Sequence, residues 1–194
     1  MQRSLLFAFL FSFLFIANGC AQGDIDKYPL PKGWYKAGSV PSKYAMGVAD
    51  SAGRQGGNAA TIQSIKKRIT GFGTLMQTSM PDSFLGRRVR MTGYMRSVEV
   101  KGWAGFWLRV DKNDGSRGHS AFDNMYDRRV VGTTDWNKYE IVLDINENTK
   151  QLAYGALLDG TGQIWFDDIE FEIVDETVAT TGSRNKVSNT DFEE

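Results

Sequence analysis

The sequence has 194 residues, 23 Lys plus Arg against 23 Asp plus Glu, a formal net charge of zero and a single cysteine. With no basic block, nothing in it suggests binding to nucleic acid or to an anionic membrane surface. One cysteine excludes an intramolecular disulfide, so an apolar core must supply the stability of what reads as one domain of ordinary size.

In chain order, Met1 to Gly19 reads as an export signal: Arg3 gives a short basic start, and Leu5 to Ile16 is apolar apart from Ser12. That run is shorter than the roughly 20 residues a membrane-spanning helix needs. Cys20 follows Gly19, which resembles a bacterial lipobox whose thiol is lipidated, although Ala17 stands where such boxes usually carry Leu. Cleavage after Ala21, with Gly19 and Ala21 as the small residues, is the competing reading. The expected organisation is therefore a signal over 1–21, a tether over 22–32 containing Pro29 and Pro31, one domain over 33–174, and a solvated, disordered tail over 175–194.

Within the domain, Gly is abundant and short alternating runs recur between turn signals, the profile of an antiparallel β-sandwich or barrel. Strands are expected at Trp34–Ala37, Tyr44–Ala49, Ala59–Ile65, Gly73–Ser79, Arg88–Glu99, Trp103–Asp111, Ser120–Met125, Lys138–Ile145, Ala153–Leu158 and Ile164–Val174. Turn chemistry separates them at Gly56-Gly57, Asn113-Asp114-Gly115 and Asp159-Gly160-Thr161-Gly162. Only Gln63 to Arg68 hints at a helical turn. Alternation assigns Val89, Met91, Gly93 and Met95 to one core face, Tyr139, Ile141, Leu143 and Ile145 to another, and Trp165, Ile169, Phe171 and Ile173 to a third. Burying one such large side chain is worth roughly 1.5–3 kcal/mol.

The stretch Trp103 to Val110 is the most informative. Ala104, Phe106, Leu108 and Val110 point one way, and Trp103, Trp107 and Arg109 the other. Indoles and a guanidinium on the polar side of a sheet suit a flat, partly polar ligand such as a sugar ring. If Arg88–Glu99 lies beside this strand, Arg90, Tyr94, Arg96, Trp103, Trp107 and Arg109 share a face, with Asn124 at its edge. Indoles would stack on sugar C–H faces, and Arg forks would bind hydroxyls. The competing expectation is a covered face: Trp107 in a second small core, and Arg90 and Arg109 as partners of nearby carboxylates.

The runs GFGTLMQ, FLGRRVRMTGYMRSVEVKGWAGFWLRVD, FDNM, GTTDWNKYEIVLDI and YGALLDGTGQIWFDDIEFEIV resemble the galactose-binding-like jelly-roll, an all-β sandwich. That fold is shared by many carbohydrate-binding modules and by accessory domains of bacterial regulators and secreted proteins. The resemblance implies a ligand along a concave sheet face. It also implies a structural Ca²⁺ on Asp167, the first Asp of the terminal pair, although an N-terminal acidic partner is not evident beyond Asp50. The alternatives are a hydrogen-bonding role for Asp167, or a bulge that turns it outward.

Catalytic routes are weak. His119 is the only histidine, and no G-x-S-x-G, H-E-x-x-H or phosphate-binding Gly loop is present. Asp167 and Asp168 are adjacent and face opposite ways in a strand; Asp123 and Asp127 are a better placed carboxylate pair, but a polar loop explains them equally well. The expectation is a non-enzymatic, exported binding module without cofactor, apart from the calcium question. Its partner would be a carbohydrate or, alternatively, an envelope protein, and it would touch a membrane only through a lipid on Cys20.

Overall fold

The computed structural model describes residues 24–113 and 118–182; the export segment and Cys20 lie outside the described residues, as does the chain beyond Gly182. The described strands are β1 (Tyr35–Gly38), β2 (Tyr44–Ala49), β3 (Ala59–Ser64), β4 (Phe72–Ser79), β5 (Arg87–Lys112), β6 (His119–Asp123), β7 (Val130–Ile145) and β8 (Thr149–Val174). The expected pairs Arg88–Glu99 with Trp103–Asp111, and Ala153–Leu158 with Ile164–Val174, are each one long bent strand. The helical turn expected at Gln63–Arg68 is not formed; short 3-10 turns occur instead at Pro41–Lys43, Asp82–Phe84 and Tyr126–Arg128.

Because β5 and β8 bend together, two antiparallel sheets arise from one continuous ladder. The first sheet runs β2, β3, the second half of β8, the first half of β5, then β7. The second runs β1, β4, the first half of β8, the second half of β5, then β6. At the corner Gly102 pairs with Gly160, at φ +115° and +85°. A Cβ on either would collide with the other strand's backbone, at Asp159 O or Lys101 O respectively, so only glycine permits this crossing.

Folding β5 back on itself builds the core. Phe106 in its second half sits over Gly93 in its first half, where an added Cβ would lie 2.8 Å from the Phe106 ring. The same ring meets Phe166 edge-on at 5.9 Å. Val89, Met91, Met95, Ile141, Leu143 and Ile145 are buried there as the alternation predicts. Tyr44 is also fully buried, its hydroxyl 2.9 Å from both Gly71 O and Gly160 O. Burial, aided by the Asp159 charge, pushes that phenol up.

Trp165 departs from its expected core position. Asp168 adopts φ +51° and the β5–β8 register slips there, so Trp165 and Asp167 face outward while Ile169 and Phe171 pack against the core. The outermost expected segments are also laid down on the sandwich. Pro29 O accepts from Val48 N at 2.8 Å, which ties the tether to β2. Thr181 N donates to Val142 O at 2.9 Å, so residues 175–182 follow β7 instead of starting a free tail. The strand order, with both long strands shared between sheets, is a jelly-roll β-sandwich.

Candidate functional site

The expected shared face is divided between the two outer surfaces of the sandwich. Outward side chains of the two halves of β5 point in opposite directions, because the halves pack core to core. Arg90, Tyr94 and Arg96 therefore lie on the first sheet, and Trp103, Trp107 and Arg109 on the second.

On the second sheet, one cross-strand row runs Tyr35, Met76, Gly155, Trp107. The indole lies toward β4, where Trp107 Nε1 donates to Thr74 Oγ1 at 2.9 Å, and at Gly155 a Cβ would collide with the β4 backbone at Leu75 O. Trp107 is 7% exposed and packs with Met76, Ala153 and Leu157 in a second apolar cluster, so it forms floor instead of an open stacking platform. The cover comes from neighbours on the same face: Ala37 of β1 together with Phe72, Trp103 and Phe122. Trp103 is half-buried within the strand, at 5.4 Å and 85° to the exposed ring of Tyr126, which Arg129 caps at 5.0 Å. Asn124 belongs to this same turn, its Oδ1 accepting from Tyr126 N at 3.2 Å.

Beyond Trp107 the face becomes polar. Arg109 pairs with Asp111 through Nε at 2.6 Å, and Gln151 Nε2 donates to the other carboxylate oxygen at 2.9 Å. Burial raises the Asp111 carboxyl, but the hydrogen bonds from Arg109 and Gln151 outweigh it and hold the group below the usual carboxylate range. Arg109, Asp111, Lys112, His119, Lys150 and Gln151 line an open cleft of about 340 Å³. His119 is exposed at the start of β6, against Phe122.

The first sheet's outer face is a ladder of cations on rings. Arg90 is a cross-strand partner of Glu172 at 2.8 Å and Glu140 at 3.2 Å. Arg54 lies 4.0 Å over Tyr94 while forking onto Asp168, and Arg96 lies 4.2 Å over Trp165. Asp167 accepts from Arg54 N at 3.2 Å and from Asp168 N at 2.9 Å, a hydrogen-bonding role on the outside of the sandwich. Among the described residues no cluster of three or more His, Cys, Asp or Glu is positioned to hold a metal ion.

Asp123 and Asp127 converge on one cation instead of on a free space. Asp123 is buried with Oδ2 2.6 Å from Arg128 Nη2, and Asp127 is 2.9 Å from Nη1. A carboxylate so held is poorly placed to work as acid, base or nucleophile.

Sequence reasoning missed Arg54, Trp136, Trp165, Tyr126, Thr74 and Asp111 as site neighbours. Arg54 meets Asp168 across 114 positions, a separation that leaves no local signal. Asp111, two residues after Arg109 on the same strand face, could have been found by alternation alone.

No protein-family model matches the chain. It is 38% identical over 151 residues to the uncharacterized HTH-type transcriptional regulator YbfP of Bacillus subtilis (strain 168), covering 77% of this chain and 50% of the regulator. The chain thus spans about half the length of that curated relative. Among solved structures, it is similar to the CBM22-1 xylan-binding domain from Paenibacillus barcinonensis Xyn10C, with TM-score 0.53, 15% identity, and coverage of 78% of this chain and 91% of that one. It is also similar to the enzymatically active domain of bacteriophage CBA120 tailspike protein 4, with TM-score 0.54, 12% identity, and coverage of 74% and 20%. At these identities the likeness is one of fold, and the fold is the galactose-binding-like jelly-roll of carbohydrate-binding modules.

Proposed function

We propose that this domain binds carbohydrate, without catalysing a reaction on it, on the outer face of the second sheet. The observation that carries this reading is that the right-angled Trp103–Tyr126 pair and the Arg109–Asp111–Gln151 array lie on one sheet face, towards opposite ends of the second half of β5. Such aromatic edges and faces receive sugar C–H groups, and the fixed polar array orients hydroxyls. Trp103 would stack, Arg109 and Asn124 would hydrogen-bond, and Trp107 would hold the floor. Arg90 is committed to two glutamates and lies with Tyr94 on the opposite sheet, outside this binding face. The engagement of Asp123 and Asp127 by Arg128 supports a non-catalytic reading.

A glycan array with the full chain, run with and without calcium, tests this proposal. Reproducible binding lost in Trp103→Ala is expected. Binding unchanged in a folded Trp103→Ala variant sinks the site, and a silent array with one stoichiometric envelope protein in a pull-down favours the interaction-module alternative.

Export and lipid anchoring through Cys20 form part of the same proposal, carried by the sequence alone. Intact mass of the membrane fraction should show acyl groups on Cys20; Gln22 as first residue rejects the anchor. The likeness to half of a transcriptional regulator favours a second reading, in which the bound ligand is reported to an attached module inside the cell. A soluble chain retaining residues 1–21 would support that reading.

A further inference from the structure

Among the described residues, the other outer face holds a cation without a counter-charge. Arg54, Arg88, Arg90, Arg109 and Arg128 each pair with a carboxylate. Arg96 does not: its contacts are the rings of Trp165 at 4.2 Å and Trp136 at 5.6 Å. Its Nε is buried without a hydrogen-bond partner, and no ion pair reaches it among the described residues. The two terminal nitrogens are not buried in this way, the residue as a whole being half-buried.

A guanidinium flanked by two indoles is held in place but unsatisfied. Trp165 and Trp136, carried by the strands on either side of β5, crowd the group from two sides, which favours a ligand that meets the N–H edge of the fork. A carboxylate offers two coplanar oxygens at the spacing of two parallel N–H donors, which a hydroxyl or a single oxygen cannot match. The Trp136 and Trp165 edges supply apolar walls on either side of that approach, suited to the body of a pyranose ring. Farther along the same face stand Glu140, Glu170 and Glu172, which oppose a densely anionic ligand.

We infer that Arg96, clamped between Trp136 and Trp165, is a second ligand site that receives the carboxylate of an acidic sugar carried sparsely on an otherwise neutral polysaccharide. This inference rests on the reading of the domain as carbohydrate-binding, and it gives the sheet opposite the neutral-sugar face its own site for a charged sugar.

The test is titration of the full chain with sodium D-glucuronate, D-glucose and sodium acetate at constant ionic strength. The readout is the indole N–H signals, assigned with Trp136→Phe and Trp165→Phe. Glucuronate should shift the Trp136 and Trp165 signals saturably, at least tenfold more tightly than glucose or acetate. Arg96→Gln should weaken the effect tenfold or more, and Arg96→Lys, which keeps the charge but not the fork, should do the same. An absent shift, a shift unchanged in either variant, or acetate equal to glucuronate overturns the inference. The Trp103→Ala variant separates the two sites: glycan binding insensitive to Trp103 with the Arg96-dependent shift intact overturns only the second-sheet reading.

Discussion

Trp107 on β5 donates its indole proton to Thr74 on β4, 2.9 Å away, reaching across β8 at Gly155. Thr74 Oγ1 passes the link on, donating to Ala156 O at 2.7 Å. The most conspicuous aromatic of the sheet face is thereby part of the fabric that joins three strands.

Trp107→Ala should therefore act on stability: removal of a buried indole costs about 3–5 kcal/mol. Trp103→Ala, at a half-buried position, should cost clearly less while lowering glycan affinity tenfold or more. Urea unfolding of both variants beside calorimetric titration checks the split. Equal destabilisation by the two would contradict the division into floor and platform.

Gly93→Ala should destabilise by about 1–3 kcal/mol, because the new methyl enters the space of the Phe106 ring at the centre of the core. The double variant Gly93→Ala with Phe106→Leu should recover part of that loss in thermal unfolding. No recovery would place the strain elsewhere.

Asp111 gives a pH dependence. Its carboxyl lies below the usual range in the folded protein, so its contribution is fully present above the ordinary aspartate pKa of about 4 and is lost as pH falls through the depressed folded value. Arg109 is partly exposed, so the effect is about 0.5–1 kcal/mol. Asp111→Asn should flatten the acid limb of a stability–pH curve by that amount. An identical limb in the variant would assign acid sensitivity to other groups.

Chelation of divalent cations should leave the melting temperature unchanged to within about 1 °C, a shift corresponding to less than about 0.5 kcal/mol. Asp167 is engaged by Arg54 N and Asp168 N instead of opening onto a ligand set. A large drop on adding EDTA, restored by calcium, would refute this expectation.

Residue order was enough to specify the β class and the apolar run from Tyr44 to Ala49, and period-two burial made the alternating faces of Val89–Met95 and Tyr139–Ile145 legible. It also determined that Trp103, Trp107 and Arg109 share a side. What that side meets is set by packing between distant strands. Alternation cannot reveal that β5 turns a corner at Gly102, so residues of one strand end on opposite surfaces of the sandwich. Nor can it show the slip at Asp168 that turns Trp165 out beside Arg96, because a bulge of one residue reverses every following side chain. The burial of Trp107 and the placement of Arg96 against Trp165 and Trp136 are likewise products of strands brought together from distant parts of the chain, where packing, and not local order, sets each side chain's neighbours.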